Sequence, residues 1–253
     1  MRAFERWAAR RRRDPVIRLM KRRAMRHLTA GLPAGATVAD LGCGAGDDSA
    51  LLARRGFRML ALDTDSGMIR LARRRPERRQ LVCVHGSFAS PPTGWLGTCD
   101  AVWAFHAADH PPGIAAFART CDRLLKAGGR AVFTAAVHGS WQTVWLRWTR
   151  MPLPPHVIHS RFHAPSVPIQ YAGRRTRVQV FDVRAILAPF SRGFEIVRLE
   201  PLGLLLPGAA SFPGAGRRLP AALLTALDGL ESRLAIPALV RLADHALVIV
   251  RKR

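Results

Sequence analysis

Lysine is almost missing from this 253-residue chain: Lys21, Lys126 and Lys252 are the only lysines among 40 basic residues, leaving 40 − 3 = 37 arginines. Acidic residues are scarce too, 17 in all, and the formal net charge is +23. Read alone, that charge points to nucleic acid or an anionic membrane surface. The preference for arginine, alongside abundant alanine, glycine and proline, matches a GC-rich coding bias, so the charge carries little weight as evidence about partners. Tyrosine is represented only by Tyr171 and no RNA-binding module is appended, which argues against nucleic acid. The four cysteines, Cys43, Cys83, Cys99 and Cys121, form no C-x-x-C pair and read as reduced thiols of a cytoplasmic protein. No apolar run approaches the roughly 18 residues of a membrane span; "LGLLLPGAA" is short and broken by Pro207, so a soluble chain is expected. The arginine-rich start lacks the apolar core of a secretory signal and the serine content of a transit peptide. Val16, Ile17, Met20, Ala24 and Leu28 recur there at helical spacing, which predicts a helix with one face packed and its arginines solvated.

From Thr37 onward short apolar runs alternate with helical patterns, as in a parallel sheet covered on both faces. The predicted strands are "TVADLGC", "FRMLALD", "QLVCVHG", "CDAVWAFHA" and "RAVFTAAV". Between them lie helices at "DDSALLARRG", closed by Gly56, at "SGMIRLARRR", capped by Ser66, and at "IAAFARTCDRLLKAGG", closed by Gly128 and Gly129. Residues 138–176 are rich in Trp, His and Pro and read as a lid, apart from a short helical run at "WQTVWLRW". Beyond them "VQVFDVRAILAPF" reads as helix, "FEIVRLEPLG" as strand, "LPAALLTALDGLESRL" as helix and "HALVIVRKR" as strand. The expectation is a single α/β domain over 1–253, doubly wound around a mostly parallel seven-stranded sheet. Its parts are an N-terminal helical segment (1–33), a cofactor-binding core (34–137), a lid insertion (138–176) and a C-terminal part of the sheet with a helical insertion (177–253).

The stretch "TVADLGCGAGDD" follows the first strand, where open parallel sheets bind ligands. Gly42, Gly44 and Gly46 allow positive φ and close backbone approach. A dinucleotide loop would read G-x-G-x-x-G, with helix N–H groups facing a pyrophosphate. Here the third glycine comes one position early and Asp47 and Asp48 open the helix, with Asp40 before the loop. Such carboxylates repel a pyrophosphate and suit a ligand carrying an ammonium and a sulfonium, as S-adenosylmethionine does. Asp63 ends the second strand 63 − 42 = 21 residues after Gly42, close to the spacing at which a carboxylate accepts both ribose hydroxyls of an adenosine.

The run "VADLGCGAGDDSALLARRGFRMLALDTDSGMIRLARRR" resembles the cofactor-binding half of class I S-adenosylmethionine-dependent methyltransferases. Asp40 to Gly46 follows that family's D-x-G-x-G-x-G motif, and "LKAGGRAVFTAA" is similar to its K-P-G-G turn, with Ala127 in place of proline. The resemblance implies that Asp40, Gly42, Cys43, Gly44 and Gly46 surround the methionine end. It implies that Asp63 and Thr64 meet the ribose, that Met68, Ser87 and Phe88 stand around the adenine, and that Phe105 and His106 line the methyl donor. Ser87 departs from the Asp usual in that place.

Methyl transfer from a sulfonium needs positioning first and a base only when the acceptor must lose a proton. His106 and His110, in "FHAADH" after the fourth strand, are the candidate bases. No N-P-P-Y or D-P-P-Y run, which amide and adenine N-methyltransferases use, is present. His156, His159 and His163 lack acidic or cysteine company and lie among prolines, so no metal is expected. Trp141, Trp145, Arg161 and Tyr171 are the expected lining of the acceptor pocket. The expected activity is transfer of a methyl group to a small, partly apolar metabolite at O, N or C; the alternatives are an RNA- or protein-directed methyltransferase and a non-catalytic S-adenosylmethionine-binding regulator.

Overall fold

A computed structural model describes residues 9, 12–142, 166–171, 174–208 and 215–253, the side chains of 166–171 and 174–177 excepted. The first helix, α1 (Pro15–Thr29), starts where Asp14 accepts from the N–H groups of Val16 and Ile17 and Pro15 fixes the first turn. Val16, Ile17, Met20, Ala24 and Leu28 are buried, as helical spacing predicts, and Leu19 is buried with them. Not all its arginines are solvated, however: Arg23 is only 1% exposed.

Nine strands follow among the described residues: β1 (Thr37–Leu41), β2 (Arg58–Asp63), β3 (Leu81–His85), β4 (Cys99–Ala104), β5 (Leu125–Ala136), β6 (Ser166–Tyr171), β7 (Arg174–Gln179), β8 (Phe194–Leu202) and β9 (His245–Lys252). Seven of them form one sheet in the order β3-β2-β1-β4-β5-β9-β8, in which β9 runs antiparallel to both neighbours and the other pairings are parallel. Along β4 and β9 successive residues alternate between two apolar layers, with Ala101, Trp103, Leu247 and Ile249 on one and Val102, Ala104, Ala246, Val248 and Val250 on the other. Burial on both faces is why these strands read as continuous apolar runs. The layer holding Trp103 is covered by α1, α2 (Asp47–Arg54) and α3 (Ser66–Ala72). The other is covered by α4 (Ile114–Leu124) and α5 (Val183–Leu187). Then come α6 (Ala215–Arg218), α7 (Ala221–Arg233) and α8 (Pro237–Val240).

Several local expectations are corrected. Asp65, not Ser66, caps α3, accepting from Gly67 and Met68 N–H; its carboxylate reaches both donors, whereas Ser66 already lies inside the helix. Helix α4 ends at Leu124, and Gly128 and Gly129 belong to β5, which begins at the next residue. The stretch expected to be lid and then helix contains an antiparallel hairpin, β6 with β7. Only Val183–Leu187 of "VQVFDVRAILAPF" is α-helical, where Asp182 caps it by accepting from Ala185 N–H.

Candidate functional site

Strand order reverses between β1 and β4, so the loops leaving these two strands diverge and open a crevice at the carboxyl edge. The β1 loop is bent back sharply: the N–H groups of Gly42 and Cys43 both donate to the Leu62 carbonyl, at 2.7 and 3.0 Å. All three glycines adopt positive φ, but for different steric reasons. A Cβ on Gly42 would lie 2.4 Å from the Ala107 Cβ, so this glycine lets the β1 and β4 loops meet. One on Gly46 would lie 3.0 Å from the Ala72 Cβ, where the loop crosses α3. A Cβ on Gly44 would meet nothing within 4 Å. Gly44 is thus the glycine of the motif that faces open space.

Asp63, at the end of β2, holds Gly44 there. One carboxylate oxygen accepts from Gly44 N–H and the other from Asp65 N–H, both at 2.8 Å. Burial pushes the Asp63 carboxyl above its ordinary range, against the lowering effect of those two donors. Each oxygen keeps a second lone pair, so a vicinal diol can be accepted on the same group. These residues fit the adenosine part of the expected cofactor: a buried two-oxygen acceptor beside a backbone with no side chain in the way.

The acidic flank behaves differently from the sequence expectation. Asp40 is buried, its carboxylate contacts the Ser49 hydroxyl, and burial together with the neighbouring Asp48 pushes its pKa up to about 8. Asp40 is therefore mostly protonated at neutral pH. Asp47 pairs with Arg75 and Arg12, and Asp48 with Lys21 at 2.8 Å while accepting from Trp103 Nε1 at 3.2 Å. The carboxylates expected to present negative charge to a ligand are thus neutralised by protonation or by cations. Burial and the nearby acids also push the Cys43 thiol well up, so it is a packing group of the loop.

The remaining cofactor candidates separate into two groups. Phe105 stands at the carboxyl end of β4, stacked on Trp103, with Lys21 Nζ 5.2 Å from its ring centre. Thr64 follows Asp63, and its carbonyl meets His85 Nε2 at 3.0 Å. Ser87 lies beyond β3, beside Gly86, whose N–H donates to the Asp63 carbonyl, and its hydroxyl accepts from Ala89 N–H. Met68 is 0% exposed, and Phe88 packs edge-on against Phe117 inside the core.

His106 takes a left-handed conformation, φ 56°, unlike any other described residue except glycines. Its N–H donates to Thr134 Oγ1 at 2.7 Å, and its ring lies between Phe105 and His245, each 4.3 Å away between centres. His245 begins β9 opposite Ala136, so it stands at the same edge as His106, although no sequence feature around it suggested a site. Its Nδ1 lies 3.1 Å from Asp244 Oδ2, without hydrogen-bond alignment. The clue was topological: a strand placed antiparallel beside β5 delivers its first residue to the carboxyl edge. His110 sits apart from this stack, close enough to Asp63 to act on its charge. Asp109, between the two histidines, ties the loop down by accepting from Ala136 N–H at 3.0 Å.

Trp141 stands beyond β5, its Nε1 donating to the Leu204 carbonyl at 2.6 Å. Trp145 and Arg161 lie outside the described residues, as do His156, His159 and His163, and of Tyr171 only its backbone in β6 is described. The acceptor pocket expected from Trp141, Trp145, Arg161 and Tyr171 is therefore represented here by Trp141 alone.

Residues 39–133 match the model of a family described as a methyltransferase domain. A ubiquinone biosynthesis O-methyltransferase of Methylocella silvestris is 35% identical over 96 residues, which are 38% of this chain and 38% of that protein. The protein of the same name from Acinetobacter baylyi is 31% identical over 110 residues, 42% of this chain and 45% of its own length. The chain thus spans less than half the length of these curated relatives. Among solved structures, geranyl diphosphate C-methyltransferase of Streptomyces coelicolor A3(2) aligns with TM-score 0.60 at 16% identity, covering 94% of this chain and 77% of that one. An S-adenosylmethionine dependent methyltransferase from Mesorhizobium loti aligns with TM-score 0.55 at 19% identity, covering 89% and 96%. The fold is that of class I S-adenosylmethionine-dependent methyltransferases, and the stretch from β1 to β5 carries the match to the methyltransferase domain model.

Proposed function

Starting from that fold and domain, we propose that the chain binds S-adenosylmethionine in the β1–β4 crevice and transfers its methyl group to a small, partly apolar metabolite at O, N or C. The observation that carries this reading is the pairing of Asp63 with Gly44: a buried carboxylate that can accept a diol, bonded to a backbone unit that faces open space. The curated relatives are named for O-methylation and a structural neighbour for C-methylation, which supports a small-molecule acceptor and leaves the atom to experiment.

In this reading Asp63 accepts the ribose hydroxyls and Gly44 lies against the cofactor. Gly42 and Gly46 shape the loop through their contacts with Ala107 and Ala72. Asp40, Cys43, Thr64, Ser87 and Phe105 complete the surroundings, and Met68 and Phe88 support them from behind. When bound, the cofactor supplies an activated methyl on a sulfonium, so orienting the acceptor provides much of the acceleration. The chain's own contribution at that edge is the Phe105–His106–His245 stack, in which both faces of the His106 ring are covered and its Nε2 is buried, so an acceptor meets the stack at its ring edges. An acceptor hydroxyl gives its proton to His106, whose strained backbone is held by Thr134. A carbon or amine acceptor leaves His106 only a positioning part. The loop Leu202–Leu206 and Trp141 form the adjoining wall.

Incubation with methyl-labelled S-adenosylmethionine and a metabolite extract tests the reading. Label is expected in a small organic product, with S-adenosylhomocysteine as the other product. Tight binding of NAD in titration calorimetry, without response to S-adenosylhomocysteine, overturns it.

A further inference from the structure

Helix α7 turns carboxylates inward beside its core-packed Leu224 and Leu227, and leaves two leucines outside. Its buried stripe is Leu224, Asp228 and Glu231, two of the three being carboxylates. Both acids meet the buried guanidinium of Arg23, which also donates to the carbonyls of Pro201 and Asp228. Glu231 in addition accepts N–H groups from Gly203 to Leu206. The outer side of the same helix carries Leu223 and Leu230, 44% and 51% exposed, seven residues and two turns apart. The chain continues to Ile236, 51% exposed, and to Leu242, whose carbonyl accepts from the N–H of Trp141. Four of the eight exposed large apolar side chains among the described residues lie on this course of the chain, and a fifth, Trp141, is bonded to its end at Leu242.

Charge selects the occupant. Residues 215–242 contain two carboxylates, both turned inward, while Arg217, Arg218, Arg233 and Arg241 are exposed. A coding bias accounts for the number of arginines but not for a surface cleared of every carboxylate. A second copy of this chain would set arginines against arginines, with no acid from the same stretch to pair them. We propose that α7, α8 and Leu242 form a docking surface for an anionic lipid bilayer, into which Leu223, Leu230, Ile236 and Leu242 insert while the arginines bind headgroup phosphates. Arginine suits this place because its stem covers apolar surface while its head reaches the phosphates. This inference stands independently of the methyl transfer proposed above. The two meet at Leu242 and Trp141, which adjoin the edge where His245 stands, so a docked chain would turn that edge toward the bilayer.

Flotation of the full chain with vesicles tests the surface without any activity measurement. Vesicles of phosphatidylcholine mixed with phosphatidylglycerol are expected to carry the protein upward, and pure phosphatidylcholine vesicles to carry much less. Arg233→Gln with Arg241→Gln should weaken partition to the anionic vesicles by roughly thirtyfold, about fivefold for each charge near the surface. Leu230→Ser with Ile236→Ser should weaken it by roughly tenfold or more, since the removed groups are those that enter the acyl boundary. The thermal melt of each variant should stay within a few degrees of the parent, because these side chains already face water. Absence of flotation of the parent chain overturns the proposal, as does equal flotation of the leucine–isoleucine variant. A light-scattering mass showing a dimer that the same variant converts to monomer also overturns it, and assigns the surface to self-association.

Discussion

Replacing each motif glycine by alanine is the same chemical change made three times, yet the structure assigns three outcomes. At Gly42 the new methyl would sit 2.4 Å from the Ala107 Cβ, which no relaxation of a flexible side chain can relieve because both groups are fixed to backbone. Gly42→Ala should therefore cost the strain of a left-handed alanine, about 1 kcal/mol or more, plus an overpacking term of roughly 1 to 3 kcal/mol. Gly46→Ala, 3.0 Å from the Ala72 Cβ, should fall between. Gly44→Ala has open space, so only the left-handed strain remains, roughly 1 to 2 kcal/mol. Gly35 supplies the control: its φ is 77°, its Cβ would also meet nothing within 4 Å, and it precedes β1 at the opposite edge of the sheet. Gly35→Ala and Gly44→Ala should lose similar melting temperature. They should part in titration with S-adenosylhomocysteine, where Gly35→Ala binds normally and Gly44→Ala is weakened at least tenfold, because its methyl occupies space assigned to the ligand. Parental affinity in folded Gly44→Ala would refute the assignment of that space and the placement of the cofactor with it.

Asp63→Ala should lose both affinity and stability, since it orphans the N–H groups of Gly44 and Asp65; a loss of roughly 1 to 3 kcal/mol per unsatisfied donor is expected in chemical denaturation, while Asp63→Asn should retain more of both. An unaltered melt in Asp63→Ala would contradict the bonding described. Asp40, ordinary at 3.8 and pushed to about 8, takes up a proton on folding, so its stabilising contribution is fully present below about pH 4 and is lost as pH rises through 8. Asp40→Asn should accordingly gain on the parent in denaturation midpoint between pH 5 and 9, and a constant difference over that range would show that Asp40 does not titrate there. His106→Gln should lower turnover by roughly 10²- to 10⁴-fold with cofactor affinity nearly unchanged if the acceptor loses a proton to it; full activity at every pH would end that role. His245→Gln, measured beside it, shows whether the stacked partner takes part.

The β1–β5 order was legible because each strand is buried on both faces and each helix has one apolar face, so hydrophobic spacing reports the layers directly. Asp63 was legible for a similar reason, as chain spacing alone sets a strand-end carboxylate at the crevice. What lay out of reach depended on partners distant in sequence. Arg23 follows Val16 by two turns and so borders the packed face, where an arginine is unexpected, and only Glu231 and Asp228, some two hundred residues later, explain its burial. The acidic flank was misread because neither the burial of Asp40 nor the pairing of Asp47 with Arg75 can be inferred from adjacency. The β6–β7 hairpin was missed because Pro168 interrupts the alternation of Val167, Ile169 and Tyr171, and the arginines at 174, 175 and 177 give its second strand no apolar pattern. His245 was missed because its position follows from where β9 is inserted.

That insertion also sets an order of events in synthesis. β9 pairs with β5 from Arg130↔Arg251 to Ala136↔His245 and with β8 from Phe194↔Lys252 to Leu202↔His245, and β8 has no other partner in the sheet. While the ribosome is still adding residues before 245, β5 presents an open edge and β8 has nothing to pair with. The glycine loop and Asp63 can form early, from neighbours in the chain, but His106 lacks its stacking partner until His245 emerges. A nascent chain of this design exposes a sticky β edge from the completion of β5 until β9 is made, and becomes competent at the acceptor side only when β9 slots in, so a ribosome stalled near residue 245 would favour edge-to-edge aggregation over folding.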